Sequence, residues 1–146
     1  MQIQRRVEKP LGQLLIERGI ISQKDLDKAL EIQKREGGLL GEILVKLGLT
    51  KEEIITQCIA IQYGFPYLPL ENYEIQEEAL KIIPKNVASY YCLIPLDKIG
   101  NNLIVAMAEP SNIQAIQDLE DISGCDIQIF ISTPSDIRKC IENFYK

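Results

Sequence analysis

The residues through which this chain could do chemistry are four cysteines, a few paired carboxylates and a glycine–glutamine pattern that occurs twice. Cys58, Cys92, Cys125 and Cys140 form no C-x-x-C pair, so neither a zinc ribbon nor a thioredoxin-type redox centre is indicated. The chain has no histidine, which removes His metal ligands, His general bases and the usual partner of a Cys nucleophile. Glu77/Glu78 and Glu120/Asp121 read as charge on solvated helical faces rather than as acid–base pairs. A P-loop requires G-x-x-x-x-G-K-[ST], because backbone amides and the lysine hold the phosphates, and no two glycines here have that spacing. Gly37-Gly38-x-x-Gly41 has the composition of a dinucleotide loop but follows a helix, not a strand. The expectation is a chain with no catalytic residue and no metal ligand.

The repeated pattern is the strongest candidate site. Leu11-Gly12-x-x-Leu15-Ile16-x-x-Gly19-Ile20 returns 29 residues later as Leu40-Gly41-x-x-Leu44-Val45-x-x-Gly48-Leu49, and Gln33 returns as Gln62. Leu26, Leu30 and Ile32 match Ile55, Ile59 and Ile61 at the same offset. A repeat of this length is one supersecondary unit, here a duplicated helical hairpin. Gly12 and Gly41 occupy positions where Ala or Leu would favour a helix by up to ~1 kcal/mol. Close helix–helix packing explains them, and so does close approach of a ligand to bare backbone. Gln33 and Gln62 could pair with a base edge or with backbone, or simply face solvent.

The elements that must position these residues follow from the punctuation. Leu11, Leu14, Leu15 and Arg18 have helical spacing, Pro10 suits the helix start, and Gly19 can stop the helix in the left-handed conformation. Ser22-x-x-Asp25 caps a second helix with Leu26, Ala29, Leu30 and Gln33 on one face. In the second copy a helix from Leu40 to Leu47 ends at Gly48, and Thr50-Lys-Glu-Glu53 reads as a capping box for a helix reaching Gln62. Gly37-Gly38 is the hinge, and Gly64 with Pro66 closes the second copy. Beyond it, Tyr67–Leu70 reads as an extended linker, followed by short helices over 76–83 and 84–91. Strand-like runs at 92–96 and 103–107 flank a Gly100-Asn101-Asn102 turn. A helix from Pro110-Ser111 to about Ser123 is expected to turn Ile113, Ile116 and Leu119 inward. A strand at 127–131 and a helix capped by Thr133, with Ile137, Cys140, Ile141 and Phe144 on one face, complete the chain. The predicted fold class is α+β. A four-helix tandem-repeat subdomain occupies residues 1–64, and a small α/β subdomain of about three strands backed by helices occupies 65–146.

Composition bounds the rest. A chain of 146 residues with 46% hydrophobic and 25% charged residues is of ordinary globular type, and its size needs no disulfide or metal to fold. Through Gly64 ten Lys/Arg face nine Asp/Glu, and the remainder holds six basic and twelve acidic residues, so the net charge of -5 belongs to the second half. That balance disfavours binding to nucleic acid polymers. The hairpins also resemble a helix-turn-helix, but the recognition helix would open Lys51-Glu52-Glu53, and phosphate repels those carboxylates. No apolar run approaches the ~20 residues that span a bilayer, and the start lacks a signal-peptide core. Scattered cysteines fit a reducing compartment. The expectation is a cytoplasmic protein with no direct membrane insertion.

The tandem Leu-Gly…Gly…Gln pattern resembles the N-terminal, MshEN-type domain of the ATPases of type II secretion and type IV pilus assembly. So do Gln62-Tyr-Gly-Phe-Pro-Tyr-Leu-Pro-Leu70, Leu93-Ile-Pro-Leu96, Asn101-Asn-Leu-Ile-Val-Ala-Met-Ala-Glu-Pro-Ser111 and Thr133-Pro-Ser-Asp-Ile137 to Tyr145. The resemblance spans roughly residues 10 to 146. It implies a non-enzymatic regulatory and docking domain that precedes a hexameric ATPase and docks to the inner-membrane platform protein. It places the domain in the cytoplasm, peripheral to the inner membrane through its partners. In one branch each motif binds half of a cyclic di-GMP molecule, mainly by apolar contacts, and that is the regulatory ligand implied; no other cofactor is. Carried over by position, the first half-site is Leu11, Gly12, Leu15, Ile16, Gly19, Ile20 and Gln33. The second is Leu40, Gly41, Leu44, Val45, Gly48, Leu49 and Gln62. The family's motif opens with Arg before Leu-Gly, and this chain has Pro10 and Leu39 there. Each lost charge-assisted bond is worth ~1.5–3 kcal/mol. Arg5, Arg6 and Lys9 lie near the first copy and Arg35 near the second. The alternatives are a pure protein-docking module and, less favoured, a helix-turn-helix DNA-binding module.

Overall fold

The computed structural model describes residues 10–145, so Arg5, Arg6 and Lys9 lie outside the described residues. The helical half is α1 (Leu11–Glu17), α2 (Gln23–Glu36), α3 (Leu40–Lys46) and α4 (Glu52–Tyr63). The second half is α5 (Glu77–Ile82), α6 (Lys85–Tyr91), β1 (Leu93–Ile99), β2 (Asn102–Met107), α7 (Ile113–Ser123), β3 (Asp126–Ile131) and α8 (Pro134–Phe144). The architecture is α+β, as the sequence predicts.

The two hairpins repeat bond for bond. Leu14 N–H donates to the Pro10 carbonyl and Ile43 N–H to the Leu39 carbonyl, both at 3.1 Å. Gly19 and Gly48 adopt φ of 74° and 77°, a conformation that costs L side chains energy and glycine none. That turn lets Ile20 N–H reach the Leu15 carbonyl at 2.9 Å and Leu49 N–H the Leu44 carbonyl at 3.1 Å. In the bundle α2 packs on α3, α1 on α4, and α3 on α4.

The copies differ at their second helices. Ser22 forms the expected capping box with Asp25. The box expected at Thr50 does not form. The N-cap of α4 is Lys51, which has no side-chain capping bond, and the Thr50 hydroxyl is buried without a partner. The repeat offset explains this, because Thr50 stands where the first copy has buried Ile21, and Lys51 stands where it has Ser22.

The sheet runs β1-β2-β3. β1 and β2 are antiparallel, from Leu93 opposite Met107 to Ile99 opposite Asn102, with a register shift between Pro95 and Asp97. β2 and β3 are parallel, which requires a crossover, and α7 supplies it. Leu93–Leu96 are all buried, because α5, α6 and α8 pack on β1, whereas β3 alternates with Ile127, Ile129 and Ile131 inside. The segment read as a linker is part of this layer. Tyr67 bridges Ile131 in parallel, Leu68 N–H donates to the Ile131 carbonyl and Ile131 N–H to the Pro66 carbonyl, both at 2.8 Å.

The inward expectation fails for Ile113, and of the residues expected on one apolar face Leu30 and Phe144 are exposed. Ile113, the first residue of α7, is 55% exposed and Phe144, the last of α8, is 41% exposed, while Ile116, Leu119, Ile137, Cys140 and Ile141 are buried. One hydrophobic cluster joins both halves, and all four cysteines are buried and free. Among the described residues no helix is long and apolar enough to cross a membrane.

Candidate functional site

The motif residues separate into three groups by where the hairpins place them. Gly12, Leu15 and Leu44 are buried, the two leucines completely. Leu11, Ile16, Ile20, Gln33, Leu40, Gly41, Val45, Leu49 and Gln62 are half-buried, and Gly19 and Gly48 are exposed turns. The bare faces of both helical glycines are filled by the next helix of the same copy. A Cβ at Gly12 would stand 2.6 Å from Leu26 Cδ1, and one at Gly41 would stand 2.9 Å from Ile55 Cγ2. Leu26 and Ile55 are equivalent under the repeat, so the glycines serve close helix crossing in both copies. Gln33 also turns inward to the fold, its Nε2 donating to the Gly38 carbonyl at 2.9 Å and tying α2 to the hinge. What the repeat leaves at its surface is a set of half-buried apolar side chains. Pro10 and Leu39, where the resemblance expects arginine, are the N-caps of α1 and α3, and their side chains carry no donor for an anion.

The second copy is joined to the sheet half by side chains that no local pattern in the sequence indicates. The Glu52 carboxylate accepts from both the backbone N–H and the hydroxyl of Ser135, each at 2.7 Å, and so satisfies an otherwise orphaned amide in the first turn of α8. Arg138 on α8 grips Glu42 on α3 with both terminal guanidinium nitrogens, and that carboxylate holds the guanidinium above its ordinary basicity. The partners lie 83 and 96 residues apart, which is why sequence spacing missed them.

Beside these pairs is a cavity of about 30 Å³, room for a water or two. Leu11, Gly41, Ile55 and Ile59 line it from the helical half, and Ala108, Glu109 and Pro134 from the other. Burial raises the Glu109 carboxyl above the usual carboxylate range, against a weaker lowering by the Ser111 hydroxyl at 3.4 Å. Burial also pushes the Cys92 thiol up to about 11, so it is an unreactive core group at neutral pH. Among the described residues no cluster of Cys, Asp and Glu could hold a metal ion.

Comparison with known proteins gives these features a context. The family model described as the MshEN domain matches residues 63–146. The type IV pilus assembly ATPase PilB of Myxococcus xanthus is 37% identical over 135 residues, which is 92% of this chain and 24% of that protein. The chain therefore spans about a quarter of that relative's length. Among solved structures, MshE determined with cdg superposes with a TM-score of 0.78 at 27% identity, covering 94% of this chain and 100% of that one. The N-terminal domain of XpsE superposes at 0.80 with 23% identity over 100% of both chains, a likeness of fold.

Proposed function

The chain belongs to the MshEN domain family, and from that premise we propose that it is a non-catalytic docking and regulatory domain of a type II secretion or type IV pilus assembly ATPase. The observation that carries this reading is a family match over 63–146 in a chain that aligns along 92% of its length with a quarter of a pilus assembly ATPase. The motor is assigned to a separate part of such a protein, and the ATPase hexamer is what this domain regulates. The division of labour follows the charge. Residues 65–146, rich in Asp and Glu, present the docking surface, and the tandem repeat of 1–64 adjusts how that surface is held. The partner assigned is the inner-membrane platform protein, which places the domain in the cytoplasm and at the membrane only through that partner. The test is co-purification of the 146-residue chain with the cytoplasmic domain of the platform protein. Retention supports docking, and failure to retain it contradicts docking.

A second reading has its own support. MshE, to which this chain is similar in fold and sequence, was solved with cdg. A cyclic di-GMP molecule would lie on the half-buried apolar residues Leu11, Ile16, Ile20, Leu40, Val45 and Leu49. It would act by fixing the angle between the copies across Gly37-Gly38, and a ligand shifts such an equilibrium only by its differential affinity for the two arrangements. The loss of both motif arginines and the use of Gly12 and Gly41 for helix crossing make this the weaker reading.

A further inference from the structure

Two grooves that share Tyr67 form a trough beside α4. At one end is a groove of about 560 Å³ between the start of α4, the 67–73 segment and α8. At the other is a groove of about 490 Å³ between the end of α4 and the 64–67 turn. Tyr67 lines both, and Glu53, Gln57, Ala60 and Ile61 follow one another along the helix at the spacing of a single face. The two ends differ in chemistry. The far end is apolar, with Ile61 64% exposed beside Phe65. The near end sets Glu53, Glu71 and Asp136 against the single cation Lys139, between the rings of Tyr67, Tyr73 and Phe144. Among the described residues none of these three carboxylates has an ion pair. The phenol of Tyr67 is raised first by burial and then by the charges of Asp136, Glu53 and Glu52.

We propose that this trough is the docking groove for a segment of a partner protein that presents arginine or lysine beside apolar residues. The cation enters between the aromatic faces and the carboxylates, where cation–π and charge-assisted contacts add, and the apolar residues cover Ile61 and Phe65. Charge complementarity selects the occupant, since Glu53, Glu71 and Asp136 outnumber the one cation Lys139 along the near end. The proposal rests on the docking reading and supplies it with a surface.

The test titrates the ¹⁵N-labelled 146-residue chain with a short synthetic peptide of leucine and arginine, and with its leucine–glutamate counterpart. The expected result is saturable shifts around Glu53, Ile61, Tyr67 and Asp136 with the arginine peptide alone. Glu53→Gln combined with Asp136→Asn should weaken binding roughly three- to thirtyfold. Ile61→Ser, at an exposed site, should weaken it as well, and Glu120→Gln with Asp121→Asn should leave it unchanged. Equal affinity for the groove variants overturns the proposal. So do shifts elsewhere on the surface, or self-association of the chain through this face. Repeating the platform-protein co-purification separates the two readings. Retention by the wild type and equally by the groove variants removes the groove and leaves docking, whereas no retention by the wild type removes docking.

Discussion

In the first copy α2 holds itself together. Ser22 and Asp25 cap each other, Gln23 bonds Asp27, Arg35 pairs with Glu31, and only Leu26 and Ala29 are fully buried. In the second copy α4 begins at Lys51 without a side-chain cap, yet Ile55, Thr56, Cys58, Ile59 and Ala60 are buried and Glu52 reaches across to α8. The backbones are equivalent turn for turn, so the Leu-Gly…Gly pattern is enough to specify the hairpin. What differs is where its stability comes from. The first copy draws on local bonds worth tenths of a kcal/mol to ~1 kcal/mol each, and the second on burial of aliphatic side chains at ~1.5–3 kcal/mol each. A duplicated unit has thus been divided between an outward copy and one that joins the repeat to the sheet.

The largest test of that equivalence is in the shared core. Leu15→Ala and Leu44→Ala should each cost ~2–5 kcal/mol in urea unfolding, since both side chains are fully buried. A harmless change in either copy would break the symmetry. Next come the crossing glycines. Gly41→Ala should destabilise by ~1–2 kcal/mol, because Ile55 Cγ2 branches at Cβ and is held by a stiff χ1. Gly12→Ala meets the two terminal methyls and the Cγ of Leu26, the far end of a side chain that can turn aside, and the gain of up to ~1 kcal/mol in helix propensity should leave it near neutral. Equal costs would mean that both crossings are equally rigid. The caps sharpen the contrast further. Ser22→Ala should lower stability by ~1 kcal/mol and Lys51→Ser should raise it by ~0.5–1 kcal/mol, read from shifts in Tm. The smallest effect is at the junction. Glu109 has its folded pKa raised above the unfolded value, so ionisation costs stability as pH rises through that interval. Glu109→Gln should therefore be the more stable protein at neutral pH, and its advantage should vanish once pH falls below the ordinary carboxylate range. An advantage independent of pH would assign the effect to packing instead.

The hairpins, the order of the three strands and most helix ends were legible in the sequence, because each depends on residues close in the chain, but β1 starts one residue after Cys92, the cap of α6, and runs to Ile99 rather than Leu96. Gly19, Gly48, Gly64 and Gly124 all adopt the left-handed conformation that stops a helix. Where the local reading failed, a tertiary demand had overruled it. Thr50 looks like a cap but fills a slot equivalent to that of Ile21, and Tyr67 looks like linker but completes the sheet beside Ile131. The role of Gly12 and Gly41 was readable only as two alternatives, and the side chains of Leu26 and Ile55 fill the space beside both glycines as helix crossing requires. Glu42, Glu52, Ser135 and Arg138 were invisible as partners, since pairing across the chain leaves no periodicity to read.

The central claim is that the glycines and buried leucines of the tandem motif serve helix packing rather than ligand binding. Calorimetric titration of the chain with cyclic di-GMP tests it most directly. The account predicts no heat and no shift in Tm at high micromolar ligand. Saturable heat that is lost in Leu11→Ala and Leu40→Ala, both at half-buried positions, would contradict it and establish the repeat as a nucleotide sensor.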